Sequence, residues 1–155
     1  LAATSKFCIG TSSGYYGLPR FFGVPVLLTN VPALSRYFNL KGKDIFLPRL
    51  IKKKSTNEYL SLNQLFSHPY IFFHSDKNYE TEDLIAEENN AEDLADATSE
   101  MIDNLLNEKN DQTNSLQLKF RNLAEKSIYN LTGDKIPSSA NIGKKFIDKY
   151  QSYLI

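Results

Sequence analysis

A turn of small residues follows the first apolar run of the chain. The run Lys6-Phe7-Cys8-Ile9-Gly10 is typical of a buried strand, and Thr11-Ser12-Ser13-Gly14 separates it from a stretch of helix length at Tyr15–Phe22. In an open α/β sheet, ligands bind beyond the carboxyl ends of the strands, where N–H groups at the start of the next helix attract an anion. The pattern predicts that Thr11, Ser12, Ser13 and Gly14 bind a diphosphate. A purely geometric role of these small residues is the alternative.

The same turn lacks the features of two common nucleotide sites. It has neither the Lys and Ser or Thr that close a P-loop nor a G-x-G-x-x-G spacing. Both NTP hydrolysis and hydride transfer with a dinucleotide therefore lose support. Because Cys8 is the only cysteine and His68 and His74 are the only histidines, we expect no metal centre and no cofactor.

Seven further residues are candidates to contact a nucleotide or a sugar: Tyr15, Tyr16, Arg20, Asn30, Arg49, Glu88 and Asn89. The two tyrosines either stack on a ring or pack a helix onto the sheet. Arg20 either supplies charge to a diphosphate or forms a surface salt bridge. Arg49 contacts the base or pairs with Asp44 across a short strand. Glu88 and Asn89 bind hydroxyl groups of the ribose or the sugar, or else Asn89, like Asn90, caps the helix that follows.

The elements that must position these residues follow an α/β order. Strand, glycine turn, helix and a second strand at Val24–Leu28 form a βαβ unit, which implies parallel strands. We predict a Rossmann-like parallel sheet flanked by helices, in one domain over residues 1–155, with C-terminal helices over 107–155 packing on it.

The remaining segments are predicted from their polar and apolar patterns. We expect a loop at Thr29–Pro32, a strand at Ile45–Leu47, a solvated loop at Arg49–Asn57, a short helix at Leu60–Phe66, an irregular stretch to about Glu82, a strand at Leu84–Ala86, a helix from Ala91 capped by Asn90, a polar linker at 107–114, a helix at Leu116–Leu131 ending near Gly133, and a last helix capped by Ser138 or Ser139.

Charge and hydropathy exclude further classes. The 155 residues hold 18 basic and 18 acidic side chains, so the basic excess of a nucleic-acid-binding protein is missing and no nucleic-acid partner is expected. Without a membrane-length apolar run or a signal peptide, the chain is expected to be cytoplasmic. The chain starts at Leu1 rather than Met, and we expect it to be a domain of a longer protein.

Several short motifs, in order, resemble a known family. These are Ile9-Gly10-Thr11-Ser12-Ser13-Gly14, then Phe22-Gly23-Val24-Pro25 followed by Thr29-Asn30, then Asp44-Ile45-Phe46-Leu47-Pro48-Arg49, then Glu88-Asn89, and then Glu92-Asp93-Leu94 with Glu100-Met101. The set, over about Leu1–Leu106, is similar to the C-terminal, donor-binding half of a family of bacterial GT-B glycosyltransferases found among surface-polysaccharide genes. Ser12, Ser13 and Gly14 match the turn that faces the diphosphate. The Glu or His that many GT-B enzymes place in the following helix is absent.

The resemblance implies a function and a set of partners. It implies a glycosyltransferase domain that binds a nucleotide-diphosphate sugar, while a missing N-terminal domain binds the acceptor, so that this chain alone is inactive. The full-length enzyme would work in the cytoplasm, and Lys52–Lys54 is a candidate for peripheral contact with the inner face of the membrane. Two alternatives stay open: a noncatalytic α/β regulatory or interaction module, and a nucleotide-sugar epimerase or hydrolase of GT-B-like fold.

Overall fold

The main sheet of the protein has four parallel strands in the order β1-β2-β3-β6. The computed structural model describes residues 1–107, 115–134 and 139–155. The strands of this sheet are β1 Cys8–Gly10, β2 Val26–Val31, β3 Ile45–Pro48 and β6 Asn141–Ile142. Helices flank the sheet, so the predicted α/β class with a parallel sheet, compatible with a Rossmann-like fold, is confirmed.

Two antiparallel strands form a second, smaller sheet. These strands are β4 Leu50–Lys53 and β5 Leu84–Glu87. The prediction of a solvated loop over Arg49–Asn57 is therefore wrong at its start. Leu50 and Ile51 are buried and pair with β5, whereas Lys53 and Lys54 stay exposed. The lysines made this segment look solvated, but long-range pairing with β5 makes it a strand.

The helices confirm some predicted boundaries and correct others. They are α1 Gly17–Phe21, α2 Leu62–Leu65, α3 Asp76–Thr81, α4 Ala91–Leu106, α5 Ser115–Thr132 and α6 Lys144–Leu154, with short 3-10 helices at Ala2–Thr4, Gly14–Tyr16, Leu34–Asn39 and Tyr70–Phe72. Asn90 caps α4 by accepting the Asp93 N–H at 2.9 Å, as predicted. The segment expected to be irregular up to Glu82 contains α3 and one 3-10 helix.

The last helix starts later than predicted. Gly143 is its N-cap, because Asn141 and Ile142 form β6 instead of a first helical turn. Ser139 does not cap the helix, since its hydroxyl accepts the Gly42 N–H at 2.7 Å. Ser138 and most of the predicted linker at 107–114 lie outside the described residues.

The core lies on both faces of the main sheet. All four residues of β3 are buried, as expected for a central parallel strand covered on both sides. The rings of Tyr37, Phe46 and Phe120 pack against one another at centroid distances of 4.8 to 6.2 Å, which joins α5 to the sheet. In α6, Phe146 and Ile147 are buried in the same core.

The two edges of the main sheet differ. At β6, the Gln117 side chain of α5 donates to the Ile142 carbonyl at 2.5 Å and accepts the Ile142 N–H at 3.2 Å, so a side-chain amide covers that edge. At β1, the Ile9 side chain is 52% exposed, and Phe21 at the end of α1 and Phe22 after it are exposed as well. Among the described residues, β1 is the edge strand that no side-chain amide covers.

Candidate functional site

Most of the candidate residues lie at the carboxyl edge of the main sheet. Thr11–Gly14 follows β1, Asn30 is the next-to-last residue of β2, and Arg49 follows β3. The segment Glu88-Asn89 joins them from the second sheet, through hydrogen bonds described below. Because the four main strands are parallel, their carboxyl ends share one edge, and this edge is the candidate site.

The side-chain hydroxyls of the turn after β1 are free. Ser13 is the N-cap of the 3-10 helix Gly14–Tyr16, with φ −73° and ψ 159°, but its side chain makes no capping hydrogen bond. Among the described residues, the hydroxyls of Thr11, Ser12 and Ser13 have no hydrogen-bond partner, and Thr11 and Ser13 are exposed. The turn therefore offers three hydroxyl donors to a ligand.

The helix after this turn differs from the prediction. An α-helix was expected from Tyr15, but the first turn is 3-10 and α1 begins at Gly17 and spans five residues. A helix this short has only a small macrodipole. Anion binding at the turn would therefore depend on hydroxyl and local N–H donors more than on the helix dipole.

The N-terminal segment that contains the turn has no acidic side chain. Residues 1–43 contain five basic side chains and no acidic one, so every acidic residue follows at Asp44 or later. The zero net charge of the chain hides this asymmetry. No carboxylate from this first segment would repel a phosphate, and the turn belongs to it.

Asn30 and Asn89 bind each other's backbone. Residues Thr29 and Asn30 were predicted to form a loop, but they belong to β2, where the register with β3 shifts between Leu28 and Val31. Asn30 has a φ of 51° in this bulge, a conformation that Asn tolerates better than most residues. Its N–H donates to Asn89 Oδ1 at 2.7 Å, and its own Oδ1 accepts the Asn89 N–H at 2.6 Å.

Both ends of the Asn89 amide are used within the fold. Besides its bond to Asn30, its Nδ2 donates to the Pro48 carbonyl at 2.8 Å, and the residue is buried. Asn89 thus ties the end of β2 and the end of β3 to the start of α4. Capping of α4 belongs to Asn90 alone, so the alternative in which Asn89 shares the cap is not observed.

Arg49 is paired with two carboxylates. Its Nη1 lies 3.1 Å from Asp76 Oδ1 and its Nη2 lies 3.2 Å from Glu88 Oε1. Both carboxylates are largely exposed, so each pair is worth little and a ligand anion can compete for the guanidinium. Asp76 was not predicted, because the only local signal is its position after Ser75, the N-cap of α3. Nearby, burial raises the pKa of Tyr79, whose hydroxyl lies within hydrogen-bond distance of the Pro32 and Phe73 carbonyls.

The residue before Glu88 anchors this segment to the second sheet. Tyr59 donates to Glu87 Oε2 at 2.7 Å, and Lys52 forms an ion pair with the same carboxylate. Burial opposes ionisation of Glu87, but the bonds from Lys52 and Tyr59 outweigh it and lower the Glu87 pKa, while the bond to Glu87 raises the pKa of Tyr59 to about 12. Lys52 is therefore not free for the membrane contact considered for Lys52–Lys54.

Arg20 lies at the amino ends of the strands, on the side of the sheet opposite the candidate site. Its Nε is 3.2 Å from Asp44 Oδ2, and Asp44 Oδ1 accepts the Val26 N–H at 2.9 Å. Val26 begins β2 and Asp44 directly precedes β3, so Arg20 sits at the amino ends of the strands. The structure therefore does not bring Arg20 together with the Thr11–Gly14 turn. The segment that contains α1 returns the chain from the carboxyl end of β1 to the amino end of β2. The salt bridge that was its alternative role is present.

The two tyrosines after the turn differ in exposure. Tyr15 is 69% exposed, whereas Tyr16 is half-buried and packs against the core. Of the two roles considered for each, packing describes Tyr16. Tyr15 has a ring face free for a base or a sugar.

No family model, curated protein or solved structure matches the chain. In the part of the chain that the structure describes, no His, Cys, Asp and Glu side chains cluster in a group able to hold a metal ion. None of the described helices is long and apolar enough to cross a membrane.

Proposed function

We propose that this chain is the donor-binding, C-terminal domain of a bacterial GT-B glycosyltransferase of surface-polysaccharide synthesis. It binds a nucleotide-diphosphate sugar at the carboxyl edge of the main sheet. The observation that carries the proposal is the turn Thr11–Gly14, with three hydroxyls free of partners among the described residues and no acidic residue in its segment. The ordered motifs of the sequence support the same family.

The proposed chemistry follows from this turn. When a sugar leaves a nucleotide diphosphate, negative charge develops on the diphosphate oxygens. Hydroxyl and N–H donors held in place before the reaction stabilise that charge without a reorganisation cost. Tyr15 would stack on the base or sugar, and Arg49 would exchange an exposed carboxylate for the ligand.

In this proposal, the acceptor-binding site and the catalytic base lie in polypeptide outside residues 1–155. The open edge of β1 and the exposed Ile9, Phe21 and Phe22 support this proposal, because a surface of that kind is normally covered. The chain alone would then bind donor without transferring sugar.

Two matched glycine substitutions test the donor site. A Cβ added at Gly14 or at Gly17 meets no atom within 4 Å, so the fold should tolerate Gly14→Leu and Gly17→Leu equally. Only the first side chain would enter the turn. Thermal unfolding is measured with UDP, GDP, dTDP, ADP and CMP at millimolar concentration. A nucleotide at 100 times its Kd should raise Tm by about 5 to 10 °C.

The expected result is a selective shift that Gly14→Leu abolishes and Gly17→Leu keeps. No shift with any nucleotide, or an equal loss in both variants, contradicts the proposal. The absence of a shift with every nucleotide would favour the main alternative, a noncatalytic α/β module. Release of free sugar or its epimer from a bound donor would instead indicate a hydrolase or an epimerase.

A further inference from the structure

The backbone around Arg49 is fixed at the carboxyl edge of the main sheet. The Arg49 N–H donates to the Val31 carbonyl at 3.0 Å, which ties the residue to the end of β2. The Pro48 carbonyl just before it accepts Asn89 Nδ2 at 2.8 Å. The Arg49 side chain is only 18% exposed. The fold therefore holds a cation at the edge where open α/β sheets bind ligands.

The two carboxylates that pair with Arg49 are held less firmly than the guanidinium. The side chains of Asp76 and Glu88 are 79% and 70% exposed, and neither carboxylate has a second partner among the described residues. Ion pairs with exposed partners are weak, because water solvates the charges almost as well. Each carboxylate can therefore turn into solvent at small cost, and the two together place more negative than positive charge at Arg49.

The carboxylates also leave one donor of the guanidinium unsatisfied. Asp76 pairs with Nη1 and Glu88 with Nη2, each through a single oxygen. Arg49 Nε is buried and has no hydrogen-bond partner in the described part of the chain. A guanidinium binds phosphate well, because its forked donors match two oxygens of one group. A phosphate monoester carries about two negative charges at pH 7, so one such group replaces the charge of both carboxylates.

We propose that Arg49 is the centre of a phosphate-binding site, which Asp76 and Glu88 occupy as internal competitors in the free protein. A phosphate group binds the guanidinium when the two carboxylates turn into solvent. The inference goes beyond the proposed function, because it requires neither a nucleotide nor the turn after β1.

Neutral substitutions of the two carboxylates test this competition. Asp76→Asn and Glu88→Gln, alone and combined, remove the competing charges, and Arg49→Gln removes the cation. Glu80→Gln is the matched control, because Glu80 is an exposed carboxylate of α3 with no ion pair among the described residues. Isothermal titration at constant ionic strength measures the Kd of inorganic phosphate, a hexose 1-phosphate and a nucleoside diphosphate for each full chain.

Asp76→Asn and Glu88→Gln should each tighten phosphate binding about 2- to 5-fold, and the double variant about 4- to 25-fold. Arg49→Gln should abolish binding, and Glu80→Gln should leave it unchanged. The probe that binds most tightly shows whether the site takes the free ion or a phosphate ester. Affinities that do not change in the carboxylate variants, an equal gain in Glu80→Gln, or a double variant that binds none of the three probes overturns the inference. The comparison with Glu80→Gln uses chains that keep Arg49, so it is decisive even where Arg49→Gln does not fold.

The results also separate this inference from the proposed function. A selective nucleotide shift that Gly14→Leu abolishes, with an affinity that is indifferent to Asp76 and Glu88, leaves the proposed function standing and overturns the inference. Phosphate binding that tightens in both carboxylate variants, without selectivity among the nucleotides, supports the inference and contradicts the proposed function.

Discussion

Asn30 and Asn89 each accept the other's backbone N–H, at 2.6 and 2.7 Å, across 59 positions of sequence. The pair joins the end of β2 to the start of α4. It satisfies two backbone donors at the places where a strand bulges and a helix begins, where regular hydrogen bonding stops. The candidate site depends on this link, because it holds the Glu88-Asn89 segment against the main sheet.

The pair predicts different effects for the same substitution at its two members. Asn89→Asp should lower the free energy of unfolding by about 1 to 3 kcal/mol, because it places a carboxylate oxygen against the Pro48 carbonyl in a buried position. Asn30→Asp should change it little, since Asn30 Nδ2 is the only group replaced and has no hydrogen-bond partner among the described residues. Urea unfolding at neutral pH measures both values, and equal losses would contradict this account of the pair.

Asp44 should matter for stability and not for ligand binding. It is 5% exposed and accepts the N–H groups of Val26 and Lys41, both at 2.9 Å, besides pairing with Arg20. Asp44→Asn should cost about 2 to 4 kcal/mol, because the amide replaces an acceptor with a donor and leaves a partly buried guanidinium without its carboxylate.

The affinity of the folded Asp44→Asn variant for nucleotides should stay within twofold of the unmodified chain. The reason is that the Asp44–Arg20 pair lies at the amino ends of the strands. Calorimetric titration well below Tm provides the measurement. A large loss of affinity with retained fold would bring Arg20 back as a diphosphate ligand.

Gln117 should act as a substitute for a neighbouring strand. Gln117→Leu removes the partners of the Ile142 N–H and carbonyl, both buried, and should cost about 2 to 4 kcal/mol. Lys119→Ala on the exposed face of α5 is the control, with an expected change within about 0.5 kcal/mol. Chemical unfolding of both variants gives the comparison, and similar small values would mean that β6 does not need the amide.

Glu100 should make stability depend on pH. Burial raises its pKa, although its Oε2 accepts the Lys144 N–H at 2.7 Å. A carboxyl whose folded pKa is raised favours the folded state when protonated, and this contribution is lost as pH rises through the folded pKa. Glu100→Gln keeps an acceptor for Lys144 and carries no charge, so its stability gain over the unmodified chain should grow from about pH 4 towards pH 7.

The exposed Glu125→Gln on α5 is the control for this pH dependence. Its stability relative to the unmodified chain should stay nearly constant over the same range. Unfolding curves at five or six pH values resolve the two trends. A flat difference for Glu100→Gln would show that burial of this carboxyl costs nothing.

Local patterns were enough for the elements whose signals are local. The three- and four-residue spacing from Ala91, with Asn90 as cap, predicted α4, and the strand-turn-helix-strand order predicted the parallel pairing of β1 with β2. The turn Thr11–Gly14 was found for the same reason, since its small residues sit between two recognisable runs. Helical periodicity and turn chemistry are properties of neighbouring residues, so a single sequence contains them.

Only the tertiary structure decided which residues meet. β4 forms because Leu50 and Ile51 pair with a strand more than thirty positions later, and the Lys52–Lys54 run hid that signal. Arg20 lies at the amino ends of the strands because α1 belongs to the segment that returns the chain from the end of β1 to the start of β2. Asn30 and Asn89 become partners because a bulge turns one side chain towards the start of α4. Strand pairing, edge and side-chain direction depend on contacts distant in sequence, and no local pattern specifies them.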